Sequence, residues 1–359
     1  QHRERILIVG FDRERYGNKI NFEFHNGITG IVGPNGSGKS NSSVQEKTVT
    51  IKTSTGNSEV PKNPKKIVVL DYGAADTIRA LGKEDSIVGL PTDSLPSYLS
   101  DLKNKKGITN VGNLKEVNLE KVAELEPDLI ILSGRTQGQM DEFKKIAPTI
   151  YFETSSKDYW GSVKSNIQEL AKVFGDKTEK TVKTKISEID QIVKKSQEAN
   201  KDTQSTTLTV MLNEGNMAGV SPEGRFSFIY NSLGFKPTSL EIPNEKHGGG
   251  KEGKKGKEEK NEKKASKEQK GGANHGFSLS FESVNQVNPD FIFVVDRTLA
   301  IGGDDTQNSD ILNNSLLQET NAGKNGHIVT LTPDLWYLSG GGLESTKLMF
   351  EEVSKYAGQ

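Results

Sequence analysis

Two stretches of the sequence, "VAELEPDLIILSGR" from Val122 to Arg135 and "VNQVNPDFIFVVDR" from Val284 to Arg297, repeat one pattern. Each reads as a helix end, a Pro-Asp turn, an apolar strand and an arginine. The spacing from Pro127 to Arg135 equals that from Pro289 to Arg297. A short apolar run bounded by turn signals fits a strand buried on both faces, which needs helices on either side. The same supersecondary unit therefore serves once in each half of the chain, and each half is expected to be an α/β unit.

The flanking sequence fits that expectation. Residues 65–175 alternate strand and helix: "KIVVL", then "GAADTIRALG" with its glycine stop, then "SIVGL", "LEKVAELEPDLIILSG" and "MDEFKKIAPTIYFE". The segment 176–200 is one long helix, with Val182, Ile186, Ile189 and Ile192 near helical spacing, placed to connect two units. Residues 201–359 form the second unit. There "TTLTVML" and "GHIVTLT" read as strands, "FSFIYNSLGF" as a helix and "GGLESTKLMFEEVSKYAG" as the closing helix. Residues 246–272 are almost all Lys, Glu and Gly and hold no core-forming side chain, so a disordered insertion is expected there. Residues 41–64 read as a polar linker with one short strand, "TVTIK", and residues 1–40 as a β-rich unit. The expected fold class is α/β: two lobes with mostly parallel sheets joined by one long helix, plus a short β-rich N-terminal appendage.

Composition narrows the function. Lys plus Arg is 47 and Asp plus Glu is 48, so the net charge of −1 implies no nucleic-acid partner. Cysteine is absent, which excludes a disulfide, a thiolate metal site and a Cys nucleophile. No apolar run reaches the length of a membrane span, and no signal peptide or lipid-anchoring Cys is legible.

Arg135 and Arg297 each follow the carboxyl end of a strand, where open α/β sheets bind ligands. Taken singly, either arginine fits a surface ion pair. Taken together, their matched placement fits a shared cleft. Arg225 lies in the turn before a helix and His275 in another turn. Trp336 and Tyr337 fall in an expected loop between a strand and the last helix. Three guanidiniums suit a planar, multiply charged anion, which they grip through forked hydrogen bonds. His and Tyr are N and O donors suited to ferric iron or to hydrogen bonding.

From about residue 48 onward, "PKKIVVLDYGAADTIRALG", "PDLIILSGR", "EGRFSFIYNSLG", "HGFSLSFE", "PDFIFVVDR" and "LWYLSGGGLESTKLM" resemble the class III bacterial solute-binding proteins of the vitamin B12 and iron-siderophore type. The resemblance is strongest to the catecholate-siderophore branch, in particular the petrobactin-binding lipoproteins. It implies an extracytoplasmic, non-enzymatic receptor, monomeric and without a tightly bound cofactor. Such a receptor binds a ferric siderophore and delivers it to an ABC-transporter permease. It further implies that Arg135, Arg225 and Arg297 bind the catecholates, with Trp336 beside them, and that His275 and Tyr337 complete the iron shell. His247, at the start of the insertion, competes with His275 for that place.

Residues 5–41 resemble something else. "INFEFHNGITGIVGPNGSGKSN" is similar to the amino-terminal head of structural-maintenance-of-chromosomes ATPases, and Gly33, Gly38, Lys39 and Ser40 complete a P-loop pattern. A working P-loop needs a helix directly after it. "NSSVQEKTVTIKTSTG" is polar and β-prone instead. Asp296 and Leu338–Gly342 mimic a Walker B aspartate and an ABC signature, but in reversed order. The P-loop is therefore expected to be inert, and an ATPase or ATPase-head fragment is the rival reading.

Overall fold

The two Pro-Asp turns lie at equivalent corners of two sheets. The computed structural model describes residues 21–23, 29–31, 48–243, 277–304 and 306–359. Two units divide the chain, Gln1–Lys47 and Thr48–Gln359. In the first, β1 (Asn21–Glu23) pairs antiparallel with β2 (Thr29–Ile31). The P-loop residues Gly33, Gly38, Lys39 and Ser40 lie outside the described residues, as do the 246–272 insertion, His247 and His275.

The second unit opens with a hairpin of β3 (Thr48–Thr53) and β4 (Gly56–Pro61). The sequence predicts one strand here and a linker after it. The second strand is hidden because "GNSEVP" is polar along most of its length. Only Val60 turns inward, joining Ile51 in the core of the first lobe.

The first lobe is a five-stranded sheet. It contains β5 (Ile67–Leu70), then α1 (Tyr72–Ala80), β6 (Ile87–Leu90), β7 (Thr109–Asn110), α2 (Leu119–Glu124), β8 (Leu129–Leu132) and β9 (Thr149–Tyr151). Its order is β7-β6-β5-β8-β9, with every pair parallel. Period-two alternation sends Ile67, Val69, Leu129 and Ile131 into one apolar layer and Val68, Leu70, Ile130 and Leu132 into the other. Two helices follow, α3 (Tyr159–Phe174) and α4 (Asp176–Asn200), broken apart at Gly175 with φ +88°.

Helix α4 is roughly 37 Å long at 1.5 Å per residue. Near its start Thr178 bonds the Ala171 carbonyl in α3. Near its end Ser196 and Asn200 bond the Leu233 carbonyl in the second lobe. Val182, Ile186 and Ile189 bury its apolar stripe. It is the long connecting helix that the sequence predicts.

The second lobe contains β10 (Thr206–Asn213), β11 (Asn216–Gly219), β12 (Lys236–Pro237), β13 (Phe277–Ser278), α5 (Phe281–Val287), β14 (Phe291–Asp296), α6 (Arg297–Ala300), β15 (Ile328–Thr330), α7 (Pro333–Leu338) and α8 (Leu343–Ser354). Strands β10, β12, β14 and β15 run parallel, and β11 and β13 add an antiparallel edge. Two further sequence expectations change. "FSFIYNSLGF" makes a single helical turn, Phe228–Asn231, and residues 333–338 form a helix rather than a loop, with Pro333 in its first turn.

Candidate functional site at the interlobe cleft

The repeat has a structural cause. The Asp128 carboxylate accepts the backbone N–H groups of Lys65 (2.8 Å) and Lys66 (3.1 Å), which lead into β5. Asp290 accepts that of Thr206, the first residue of β10, at 2.8 Å. Each Pro-Asp turn thus clamps the start of its lobe's central strand. The residue before each proline, Glu126 or Asn288, takes a left-handed φ of 47° or 46°. The strand that follows then pairs in parallel, with Leu70 opposite Leu132 and Leu212 opposite Asp296. Both arginines emerge at the carboxyl ends of those pairs. Arg297 is the first residue of α6, whose cap is Asp296, accepting from the Leu299 N–H at 2.9 Å.

Tyr337 is the point on which the arginines converge. The guanidinium carbons of Arg135, Arg225 and Arg297 stand 5.4, 5.2 and 5.5 Å from its ring centre, within cation–π range. Arg135 Nη2 donates to the Tyr337 carbonyl at 3.2 Å. Arg225 Nη2 donates to the same carbonyl and, at 3.3 Å, to that of Trp336. These carbonyls belong to the last turn of α7, where no further turn of helix satisfies them. Arg297 Nε donates to the Tyr337 hydroxyl at 2.8 Å, and its Nη1 to Asn213 Oδ1 at 2.5 Å. The groups that accept from the three arginines are, among the described residues, neutral: two backbone carbonyls, a hydroxyl and an amide oxygen. Among the described residues, none of the three forms an ion pair.

That arrangement is electrostatically expensive. Burial, and then the neighbouring charge of Arg135, push the Arg225 guanidinium down to about 10. An uncompensated cation in such a place destabilises the protein until an anion arrives. Arg225 and Tyr337 face a cavity of about 720 Å³, which Ser54, Lys157 and Tyr159 line from the first lobe. Arg225 also borders a smaller cavity of about 290 Å³ beside Asp71, Tyr151 and Asn166.

Sequence reasoning missed Asp71 and Asn213. Asp71 follows β5 and caps α1 by accepting the Ala74 N–H at 2.7 Å. Burial raises its carboxyl to about 6, against the pull of the Ala74 and Gly73 N–H groups and of Arg135. Asn213 closes β10. Both stand at the carboxyl end of a central strand, so the rule that finds Arg135 and Arg297 applies to them too.

Trp336 does not belong to the site. It is 0% exposed, stacks on Phe228 at 5.5 Å and donates its indole N–H to Glu352 at 2.7 Å. Neighbouring residues on a helix point about 100° apart, so Tyr337 faces the arginines while Trp336 enters the core. Asp296 and the Leu338–Gly342 segment are also accounted for without nucleotide chemistry. The Asp296 carboxylate accepts from Asn308 Nδ2. The glycine segment crosses α1, where Asp76, 0% exposed, accepts the Glu344 and Ser345 N–H groups at 3.0 and 3.1 Å and the Tyr98 hydroxyl at 2.9 Å. That seam ties the start of α8 to the first lobe.

A family model described as periplasmic binding protein matches residues 67–335. The chain belongs to that family. Its members are binding proteins, and this one is not an enzyme. The petrobactin-binding protein YclQ of Bacillus subtilis (strain 168) is 38% identical over 295 residues, 82% of this chain and 83% of YclQ. The crystal structure of the iron uptake ABC transporter substrate-binding protein PiuA from Streptococcus pneumoniae superposes with a TM-score of 0.75 at 46% identity, covering 86% of this chain and 98% of PiuA. The periplasmic catecholate-siderophore binding protein VctP from Vibrio cholerae gives 0.70 at 30% identity, covering 86% and 99%. The two-lobed family fold predicted from sequence is therefore the fold of this chain. None of these matches supports the ATPase-head resemblance of residues 5–41.

Proposed function

We propose that this protein captures a ferric catecholate siderophore, petrobactin-like in kind, in the interlobe cleft and delivers it to the permease of an ABC importer. The observation that carries this reading is the set of three arginines around Tyr337 with neutral acceptors and, among the described residues, no ion pair. Catecholate oxygens on ferric iron form a compact, multiply charged anion, and forked guanidinium donors match it. The names of YclQ and VctP point to the same ligand class. In this reading the protein acts outside the cytoplasmic membrane as a monomer, and iron arrives as cargo with the siderophore. Where the siderophore leaves ferric positions open, the Tyr337 hydroxyl exchanges its Arg297 bond for the metal, and His275 or His247 supplies the second donor.

Residues 1–40 are an inert appendage in this reading, so Lys39→Ala leaves ligand capture unchanged. Fluorescence quenching with a panel of ferric complexes tests the whole proposal. Tight binding of ferric catecholates and weak binding of neutral ferric hydroxamates is the expected result. Equal affinity for both classes overturns the anion cleft, and ATP hydrolysis that depends on Lys39 restores the ATPase reading.

A further inference from the structure

Arg297 is held differently from its two partners. Backbone carbonyls receive Arg135 and Arg225, whereas two side chains, Asn213 and Tyr337, receive Arg297. Asn213 stands on a fixed support. The two residues after it, Glu214 and Gly215, have φ of +50° and +76°, the double left-handed signature of a tight hairpin turn into β11. That turn is pinned to the segment that begins at Arg297. The Glu214 N–H donates to Thr298 Oγ1 at 2.8 Å and the Gly215 N–H to Asn308 Oδ1 at 3.0 Å. Among the described residues, the turn makes no use of the Asn213 side chain. Its backbone carbonyl accepts from Asn216 Nδ2 at 3.2 Å, and its amide oxygen goes to Arg297.

The charge balance around Arg297 is equally specific. Asp296 precedes it in the chain and is only 3% exposed. Both carboxylate oxygens accept from Asn308 Nδ2, at 2.9 and 3.0 Å, and one also caps α6. The adjacent carboxylate is thereby occupied elsewhere, and the group on the guanidinium is an uncharged amide. Aspartate has nearly the same shape as asparagine and would accept the same hydrogen bond. It would also cancel the charge of Arg297.

We propose that Asn213 is a positioning and specificity residue of the cleft: it fixes the Arg297 guanidinium toward the ligand while leaving its charge whole for a multiply charged anion. This inference rests on the anion-cleft reading above. It assigns to Asn213 the discrimination between anionic and neutral ferric complexes.

The test compares wild type with Asn213→Asp and Asn213→Ala. Each is titrated with a trianionic ferric tris-catecholate and with a neutral ferric tris-hydroxamate, at low and high salt, and melting temperatures are recorded. Asn213→Asp should lose at least about tenfold in catecholate affinity, the scale of one charge-assisted hydrogen bond. Its salt dependence should flatten as one cationic charge is neutralised, with no fall in melting temperature. Asn213→Ala keeps the cation and should lose a few-fold with the salt dependence retained, so it decides the matter if the aspartate variant folds poorly. Hydroxamate binding should not change in either. Wild-type binding of the catecholate that Asn213→Asp leaves intact, or equal losses for both ligands, overturns the inference alone. A wild type that binds no ferric catecholate overturns the cleft reading and this inference with it.

Discussion

Arg225 donates to the backbone carbonyl of Tyr337 while its guanidinium carbon stands 5.2 Å from the centre of that residue's ring. The carbonyl orients the cation, and the ring face attracts it without neutralising it. Burial and the charge of Arg135 both oppose the charged form. The group is therefore a cost to the empty protein and a gain to the complex.

Replacing Arg225 with Met should expose that trade. Affinity for a ferric catecholate should fall by about 1.5–3 kcal/mol, the range for hydrogen bonds to a charged group. Stability of the empty protein should hold or rise, because an apolar side chain of similar volume often replaces a buried charge without loss. Quenching titrations and chemical denaturation of the same samples measure both. A loss of stability with unchanged affinity would make Arg225 a structural residue.

Tyr337→Phe separates the ring from its hydroxyl. The ring stays beneath the three guanidiniums, and the acceptor for Arg297 Nε is lost. A siderophore that saturates the iron should lose little, about 0.5–1.5 kcal/mol for one ordinary hydrogen bond. A bis-catecholate that leaves two ferric positions open should lose far more and shift its visible absorption band. Identical losses for the two ligands would deny Tyr337 a place on the metal.

Much of this site was legible because the two lobes repeat one solution. The Pro-Asp turn, the apolar strand and the arginine are adjacent in sequence, so Arg135 and Arg297 could be found by spacing. Arg225, from a turn, was found by its local sequence. What sequence hid depends on direction in space. Nothing in "LWYLS" says which aromatic of a six-residue helix faces Phe228 and which faces the cleft. Asp71 and Asn213 stand at strand ends, and only the fold brings Asn213 to Arg297. The hairpin strand at residues 56–61 has one buried apolar side chain, too few for periodicity to detect.

Stability should fall as pH rises from about 4 to about 7 through two buried carboxyls. Burial is the largest influence on both, raising Asp71 from an ordinary 3.8 to about 6 and Asp76 from 3.8 to about 7. Between the unfolded and folded values the native protein holds protons that the unfolded chain has lost, so each pH unit upward disfavours folding, by at most about 1.4 kcal/mol per group. Above about 7 the contribution is constant. Other carboxylates act in the opposite direction, so the measurement is a difference. Denaturation at pH 5 and pH 8 should change less between the two conditions in Asp71→Asn and Asp76→Asn than in wild type. An unchanged difference in both variants would show that neither group retains its proton in the native state.

Gly73→Ala tests the seam that sets the distance between the lobes. Gly73 lies in the first turn of α1, and an exposed helical glycine replaced by alanine gains about 0.8–1 kcal/mol. Here a Cβ would lie 2.7 Å from Gly342 N and closer still to the Gly340 carbonyl oxygen. Those atoms are backbone, bound in place by Asp76 and Thr77 through the N–H groups of Leu343, Glu344 and Ser345. The strain cannot be relieved by turning a side chain, so the usual gain should invert to a loss of about 1–3 kcal/mol, the cost of overpacking. Leu338 to Gly340 lead back to Tyr337, so ligand affinity should fall as well. Gly82→Ala is the control. Its φ is +65° and no atom lies within 4 Å of an added Cβ, so it should lose about 1–2 kcal/mol from backbone strain alone and leave affinity untouched. A Gly73→Ala protein as stable as wild type, with wild-type affinity, would mean that the lobes do not meet at this contact in solution.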